Sequence, residues 1–389
     1  MVFFYKNSNK LYGDIINTLK KSLSQCLTQY YPFAGRLLLP DHVDCNDAGV
    51  EFLEASIDSR LDEYFVVKKL EKDDDDTLLG QLLPYSRLGL AVNSSTTNSS
   101  IAEIQLTHFT CGGVALGVSI AHKVADGFTA VNFMNHWAAV TRGETPPVKL
   151  SFSSSPSSSH IFSYKDIITD PEQQVGVVPV KYVTRRLLFP NSKLNELKNK
   201  VLSIVNPTRV DSLTSLIFKC AMGAATAKSG SSSQPSNLMQ PVNLRGSIFP
   251  KLGAGNMIGL ANARINADSG EIKLNDVVTS LRKERRELQG VKDVEEIGKK
   301  WSNILLTIGD GRSSRTYFTT SICGFPVYQV DFGWGNPVRA MLRVGNEDAS
   351  IFMDTPSGDG IEATVCLEQE EMDIFQHDQQ LLEYTQQNI

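Results

Sequence analysis

A chain of 389 residues that is 41% hydrophobic and 21% charged can bury a sizeable core and is too apolar to remain disordered. Its net charge of -5, with no long basic run, argues against nucleic acid as principal partner, and no unbroken apolar run is long enough to span a membrane. The six cysteines and six histidines are scattered without a CxxC pair, and no secretory leader precedes Val2, so a cytoplasmic protein without metal or disulfide framework is expected.

In chain order, Val2 to Tyr5 reads as a strand. A helix capped near Asp14 carries Ile15, Ile16, Leu19, Leu23 and Leu27 on one side, and Tyr31-Pro-Phe-Ala-Gly-Arg36 ends it. A strand pair is expected around Val43 to Asn46 and Val50 to Glu54. The run Asp73 to Asp76 reads as a solvated loop, Asn93 to Ser100 as a polar loop, and Ile101 to Thr107 as a strand.

Val114, Leu116, Val118 and Ile120 alternate with smaller residues, which predicts a strand with one buried face. The alternation stops at His122. Gly127 then permits a turn, and Phe128, Val131, Met134 and Trp137 recur at helical spacing to about Val140. A histidine is thereby held where the chain changes direction, and neutral imidazole accepts a proton near neutral pH. Asp126 could orient that ring, or hold its turn by pairing with a cation elsewhere. By itself H-x-x-x-D is a weak signal, since a strand-end histidine followed by an N-cap aspartate is common.

Composition changes between Thr141 and Gln174, where Pro and Ser predominate, so residues 1–150 and 181–389 are expected to form two domains joined by a linker at 151–180. Tyr182 to Phe189 reads as a strand. Helices follow from Asn191 or Ser192 and from Asp211 or Ser212, and Gly230 to Ser236 reads as a flexible loop. Leu238 to Leu244 reads as a strand and Val277 to Leu288 as an amphipathic helix. Further strands are expected near Val327 to Phe332, Val338 to Val344, Ser350 to Met353 and Ile361 to Leu367, with a last helix from Glu370. Alternating strands and helices in both halves indicate an α/β or α+β class.

Asp331-Phe-Gly-Trp-Gly335 has no good nucleophile or base, so its physics is structural: two glycines let backbone approach a flat side chain. His122-Lys-Val-Ala-Asp126-Gly127 and this second motif together resemble the plant BAHD acyltransferases. Tyr31-Pro-Phe-Ala-Gly-Arg36, Cys111-Gly-Gly113, Asn243-Leu-Arg245, Gly255-Asn256 and Ser357-Gly-Asp-Gly-Ile-Glu362 extend the likeness over essentially the whole chain, in the family's order.

The resemblance implies two chloramphenicol-acetyltransferase-like domains with mixed sheets and an active-site channel between them. An acyl-CoA co-substrate and an alcohol or amine would meet there, with no permanently bound cofactor and a monomeric chain. It implies His122 as general base. Asp126 would pair with Arg245 and hold the histidine loop, Asn256 would polarise the carbonyl, and Gly127 with Asp331, Phe332, Gly333, Trp334 and Gly335 would give structural support. Ser119-Ile-Ala-His122, Cys45 to Phe52 and Pro207-Thr-Arg-Val210 are most similar to the branch acetylating alkaloid and terpenoid alcohols, which implies acetyl-CoA. A larger acyl donor, or a weak paralogue that binds CoA esters, are the alternatives.

Four departures from the family pattern stand out. A first strand is expected to be missing before Val2, Asn336 replaces the usual Lys, Arg339 occupies an apolar position, and Gly290 to Thr320 is short. Gly117-Val-Ser119 begins like a hydrolase nucleophile elbow, but Ala121 stands where the second glycine is required. Ala121 also lacks the paired histidine of peptide-condensation domains.

Overall fold

The structure is a computed structural model that describes residues 1–389 except 7–10, 39–41, 68–72, 75, 85–98, 153–179, 202–205, 231–234, 267–270, 310–314, 346 and 387–389. Most of the linker expected at 151–180, the tip of the 93–100 loop and the centre of the 230–236 loop lie outside the described residues.

Two mixed sheets organise the chain. The first has five strands in the order Arg339–Met341, Val2–Tyr5, Val114–Ile120, Ala102–Phe109 and Glu51–Ile57. All neighbours are antiparallel except the last pair. Val2–Tyr5 is buried along its whole length because both faces of the sheet are covered. Phe3 and Tyr5 enter a core with the helices Tyr12–Leu27 and Gly127–Thr141, while Val2 and Phe4 pack on the other side with Leu61, Tyr64 and Leu82. The strand expected near Val43 does not pair with the one expected at Val50 to Glu54: His42–Asp44 pairs with Arg36–Leu38, whereas Glu51–Ile57 joins the five-stranded sheet.

The second sheet has seven strands in the order Ile258–Ile265, Ser236–Asn243, Arg315–Ser321, Ala349–Asp354, Gly360–Glu368, Tyr182–Pro190 and Asp73–Asp74. Asp73 and Asp74, read from sequence as loop, form a two-residue edge strand against Thr184 and Arg185. One face of this sheet is covered by Asn191–Val201, Arg209–Ser229, Leu274–Gln289 and Gln369–Phe375, which supply its core. Arg209–Ser229 starts earlier than its apolar pattern suggested. Thr208 is the cap, with a reciprocal bond to Asp211 at the third helical position, so Asp211 is the second half of a capping box. The last helix is Gln379–Tyr384, capped by Asp378.

The expected strand over Val327 to Phe332 is not one. Pro326 cannot donate, and Val327–Gln329 forms a 3-10 turn whose Gln329 N–H bonds to the Pro326 carbonyl at 3.2 Å. Val327, Val330 and Phe332 are still buried, but against the core of the first sheet. Arg339–Met341 then pairs with Val2–Phe4. Residues 181–389, expected as one domain, thus divide their strands between the two sheets.

The seam between the sheets is held by charge as well as packing. Arg339 donates to Glu362 Oε2 at 2.8 Å, and buried Arg186 approaches the other carboxylate oxygen at 3.9 Å. A guanidinium at an otherwise apolar position is accommodated because a carboxylate from the other sheet faces it.

Candidate active site

Ala121 ends the strand Val114–Ile120, its N–H bonded to the Ile101 carbonyl at 2.8 Å. Its own carbonyl accepts from Val124 N (2.8 Å) and Ala125 N (3.2 Å), so residues 121–125 close a tight turn. His122 lies in that turn with its side chain exposed, while Ala121, Ala125 and Asp126 are buried. The side chain that can exchange a proton thus faces outward from a backbone that cannot easily move.

Asp126 caps the helix Gly127–Thr141, accepting from Thr129 N at 2.9 Å through Oδ1. It does more than cap. Arg245, 119 residues further on, donates to Oδ2 at 2.6 Å and to Oδ1 at 3.1 Å, and Met257 N donates to Oδ2 at 2.9 Å. Both side chains of the ion pair are 3% exposed. Four donors occupy the carboxylate's four lone-pair directions, so Asp126 acts on the shape of the His122 turn. Arg245 is also held by the carbonyls of Gly253 (2.8 Å) and Gly255 (3.0 Å), and it stacks over the Phe128 ring at 4.6 Å.

Gly127 contributes differently from the sequence reading. It is the first residue of a helix, its φ is not in the left-handed range, and an added Cβ would lie 3.6 Å from Ile322 and Phe325, ordinary contact distance. The turn does not depend on glycine there. Gly255 is the glycine with unusual backbone, at φ +141°.

Asn256 follows it, 6% exposed, with neither Oδ1 nor Nδ2 hydrogen-bonded to any described residue. A buried amide without partners costs about 1–3 kcal/mol. Its neighbours are firmly tied: the Gly255 carbonyl accepts from Asp126 N (3.2 Å) and Thr129 Oγ1 (2.8 Å), and Met257 N is on Asp126. The structure thus brings together Asp126, Arg245 and the Gly255–Asn256 turn beside His122. Thr129, which local pattern did not single out, joins this set, and its position in the first turn after the cap was the available signal.

Asp331 to Gly335 lies apart, behind the helix Gly127–Thr141. Asp331 Oδ1 accepts from the N–H groups of Gly333 (2.7 Å), Trp334 (3.0 Å) and Gly335 (2.9 Å), and Arg142 donates to its carbonyl. Gly333 and Gly335 both have φ +87°, which a Cβ would resist. The loop brings Phe332 to 4.9 Å from Trp137 and Trp334 to 5.3 Å from Tyr5, both edge to face. Tyr5 Oη donates to the Val330 carbonyl at 2.7 Å. Burial, with the Asp331 charge nearby, raises the Tyr5 pKa well above its ordinary value, so it stays a donor. This is a packing element that couples the helix behind His122 to the first strand. A groove of about 680 Å³ between Tyr12–Leu27 and Glu51–Ile57, lined by Lys20, Leu23, Tyr31 and Phe52 among others, includes none of these residues.

The profile of the Transferase family matches residues 1–382, and the chain belongs to that family, the BAHD acyltransferases; it is an acyl-CoA-dependent acyltransferase. It is 35% identical to akuammiline synthase 1 of Alstonia scholaris, over 99% of this chain and 88% of that protein. It is 32% identical to deacetylvindoline O-acetyltransferase of Catharanthus roseus, over 98% and 88%. The crystal structure of vinorine synthase superposes with a TM-score of 0.78 at 28% identity, covering 99% of this chain and 89% of that one. A Fusarium sporotrichioides protein, TRI101, complexed with coenzyme A and T-2, shares the fold at a TM-score of 0.73 and 15% identity. Among the described residues, no helix is long and apolar enough to cross a membrane.

Proposed function

We propose that this chain transfers an acetyl group from acetyl-CoA to a hydroxyl of an alkaloid or terpenoid alcohol, with His122 as general base. Residues 1–150 and 181–389 would form the walls of a channel that admits the two substrates from opposite sides. The imidazole removes the hydroxyl proton as the oxygen attacks the thioester carbonyl. The tetrahedral oxyanion then collapses, the C–S bond breaks, and the CoA thiolate takes the proton back from the imidazolium. No acyl-enzyme is required. Asn256 is assigned to the oxyanion, because a buried amide left without partners by its own fold has its hydrogen bonds available for substrate. Acetyl as the group transferred is supported by the O-acetyltransferases among the relatives.

The observation that carries the reading is the exposed His122 on a turn locked from behind by Asp126 and Arg245. Thiol release from acetyl-CoA, malonyl-CoA and p-coumaroyl-CoA is followed with alcohols that include deacetylvindoline. Acetyl-CoA should be preferred; His122→Ala should lower turnover about 10³-fold, and Asn256→Ala about 10²-fold. Undiminished transfer by His122→Ala would end the proposal. Preference for p-coumaroyl-CoA would end only the acetyl assignment.

A further inference from the structure

The first turn of the helix after the histidine carries a threonine whose surroundings are unusual for a core hydroxyl. Thr129 is fully buried. Its Oγ1 donates to the Gly255 carbonyl at 2.8 Å, accepts from Gly255 N at 3.0 Å, and accepts from Arg245 Nη2 at 2.9 Å. One hydroxyl therefore grips both sides of the same glycine and the guanidinium that braces Asp126. A threonine deeper in a helix usually donates to a carbonyl one turn back; at the third helical position Thr129 reaches across to another segment instead. The bonds cross 126 residues of sequence to the residue immediately before Asn256.

The consequence is geometric. Gly255, at φ +141°, occupies a region that only glycine adopts without strain, so its peptide planes are free to swing unless something fixes them. Thr129 holds the N–H and the carbonyl at once, which sets both planes flanking Cα. The carbonyl belongs to the peptide that begins Asn256, so its direction sets where the Asn256 side chain starts. Met257 N on Asp126 fixes the far side. Donors aimed at an oxyanion lose much of their value when displaced by a fraction of an ångström.

We propose that Thr129 is a positioning residue for acyl transfer: it registers the Gly255–Asn256 turn on the histidine turn and thereby aims the Asn256 amide. This rests on the assignment of Asn256 to the oxyanion. The test compares Thr129→Val, Thr129→Ser, Asn256→Ala and the Thr129→Val/Asn256→Ala double variant. Two readouts are taken: amide hydrogen exchange of the peptide covering 253–257, and acetyl transfer from acetyl-CoA to deacetylvindoline or, in its place, to benzyl alcohol or water.

Valine keeps the shape and removes the hydroxyl, so exchange at 253–257 should rise at least tenfold while the helix 127–141 stays protected. Turnover should fall about tenfold with KM for acetyl-CoA unchanged. Serine should restore both. In the Asn256→Ala background Thr129→Val should have almost no further effect on turnover, which a merely structural role would not produce. Unchanged exchange in Thr129→Val overturns the inference, and so do additive losses in the double variant. Full turnover by Asn256→Ala alone overturns instead the assignment of Asn256, whatever Thr129→Val does to exchange. If Thr129→Val does not fold, Thr129→Ala carries the test: exchange at 253–257 raised at least tenfold with the helix 127–141 still protected upholds the inference, and wild-type exchange overturns it.

Discussion

Replacing Arg245 with methionine isolates the interaction on which the site's rigidity depends. The change leaves Asp126 buried with two of its four donors, the N–H groups of Thr129 and Met257, and without a counter-charge. Stranding one member of a buried pair costs about 3–5 kcal/mol, and the two surviving bonds place this case near about 3 kcal/mol. For 389 residues unfolding together, the entropy of unfolding at about 2 cal/mol/K per residue converts that loss to a melting-temperature drop of about 4 °C. Asp126→Asn should cost a similar amount, since Arg245 keeps Gly253, Gly255 and Thr129 as acceptors but loses its carboxylate. The double variant removes both charges and should be milder than the sum by about 2 kcal/mol. Thermal unfolding of the four proteins supplies the cycle. Strict additivity would refute the argument, because it would mean the two groups do not sense each other across 2.6 Å.

Two further outcomes follow from local geometry. Gly127→Ala should leave the melting temperature unchanged or slightly higher, because φ is ordinary and the new methyl meets Ile322 and Phe325 at 3.6 Å. Gly117→Ala, by contrast, would put Cβ 2.0 Å from the Leu82 carbonyl oxygen, a backbone atom, and should cost at least about 3 kcal/mol. Equal effects in thermal melts would contradict both assignments. His136 supplies a pH test. Burial, and then the Lys149 charge, hold its pKa below the ordinary value, so the unfolded state binds the proton more readily. Stability should therefore decline as pH falls below about 6.5 and level off below the folded-state pKa. Denaturation midpoints measured across that range should flatten in His136→Phe; an unchanged slope would place the titrating group elsewhere.

Much of the site was legible along the chain because it is built from local periodicities. Alternating apolar residues from Val114 to Ile120 ended at His122, and the helical spacing from Phe128 put a turn between them. The same rule misled at Val327 to Phe332. Buried residues there also recur, but Pro326 removes a ladder donor and the segment satisfies its backbone in a 3-10 turn. Thr208 lies outside the reading of its helix because the apolar pattern begins only at Leu213, and a cap stands before that pattern.

Strand periodicity drew attention to the turn at His122 and Asp126, and the resemblance of that motif, of Asp331 to Gly335 and of the blocks between them to the BAHD family is what pointed to an acyltransferase. The resemblance supplied the Asp126–Arg245 pair, but neither it nor periodicity named Thr129 or the Met257 N–H as members of the same brace. Asp126, Thr129, Arg245 and Met257 are neighbours only because two distant stretches of chain are packed against each other, and hydrogen bonds across such distances leave no periodic trace. The same holds for Arg339–Met341 beside Val2–Phe4, an edge strand paired with one more than 300 residues earlier. Periodicity reports which face of an element is buried; what it is buried against is settled when the whole chain collapses and every buried polar group must find its partner.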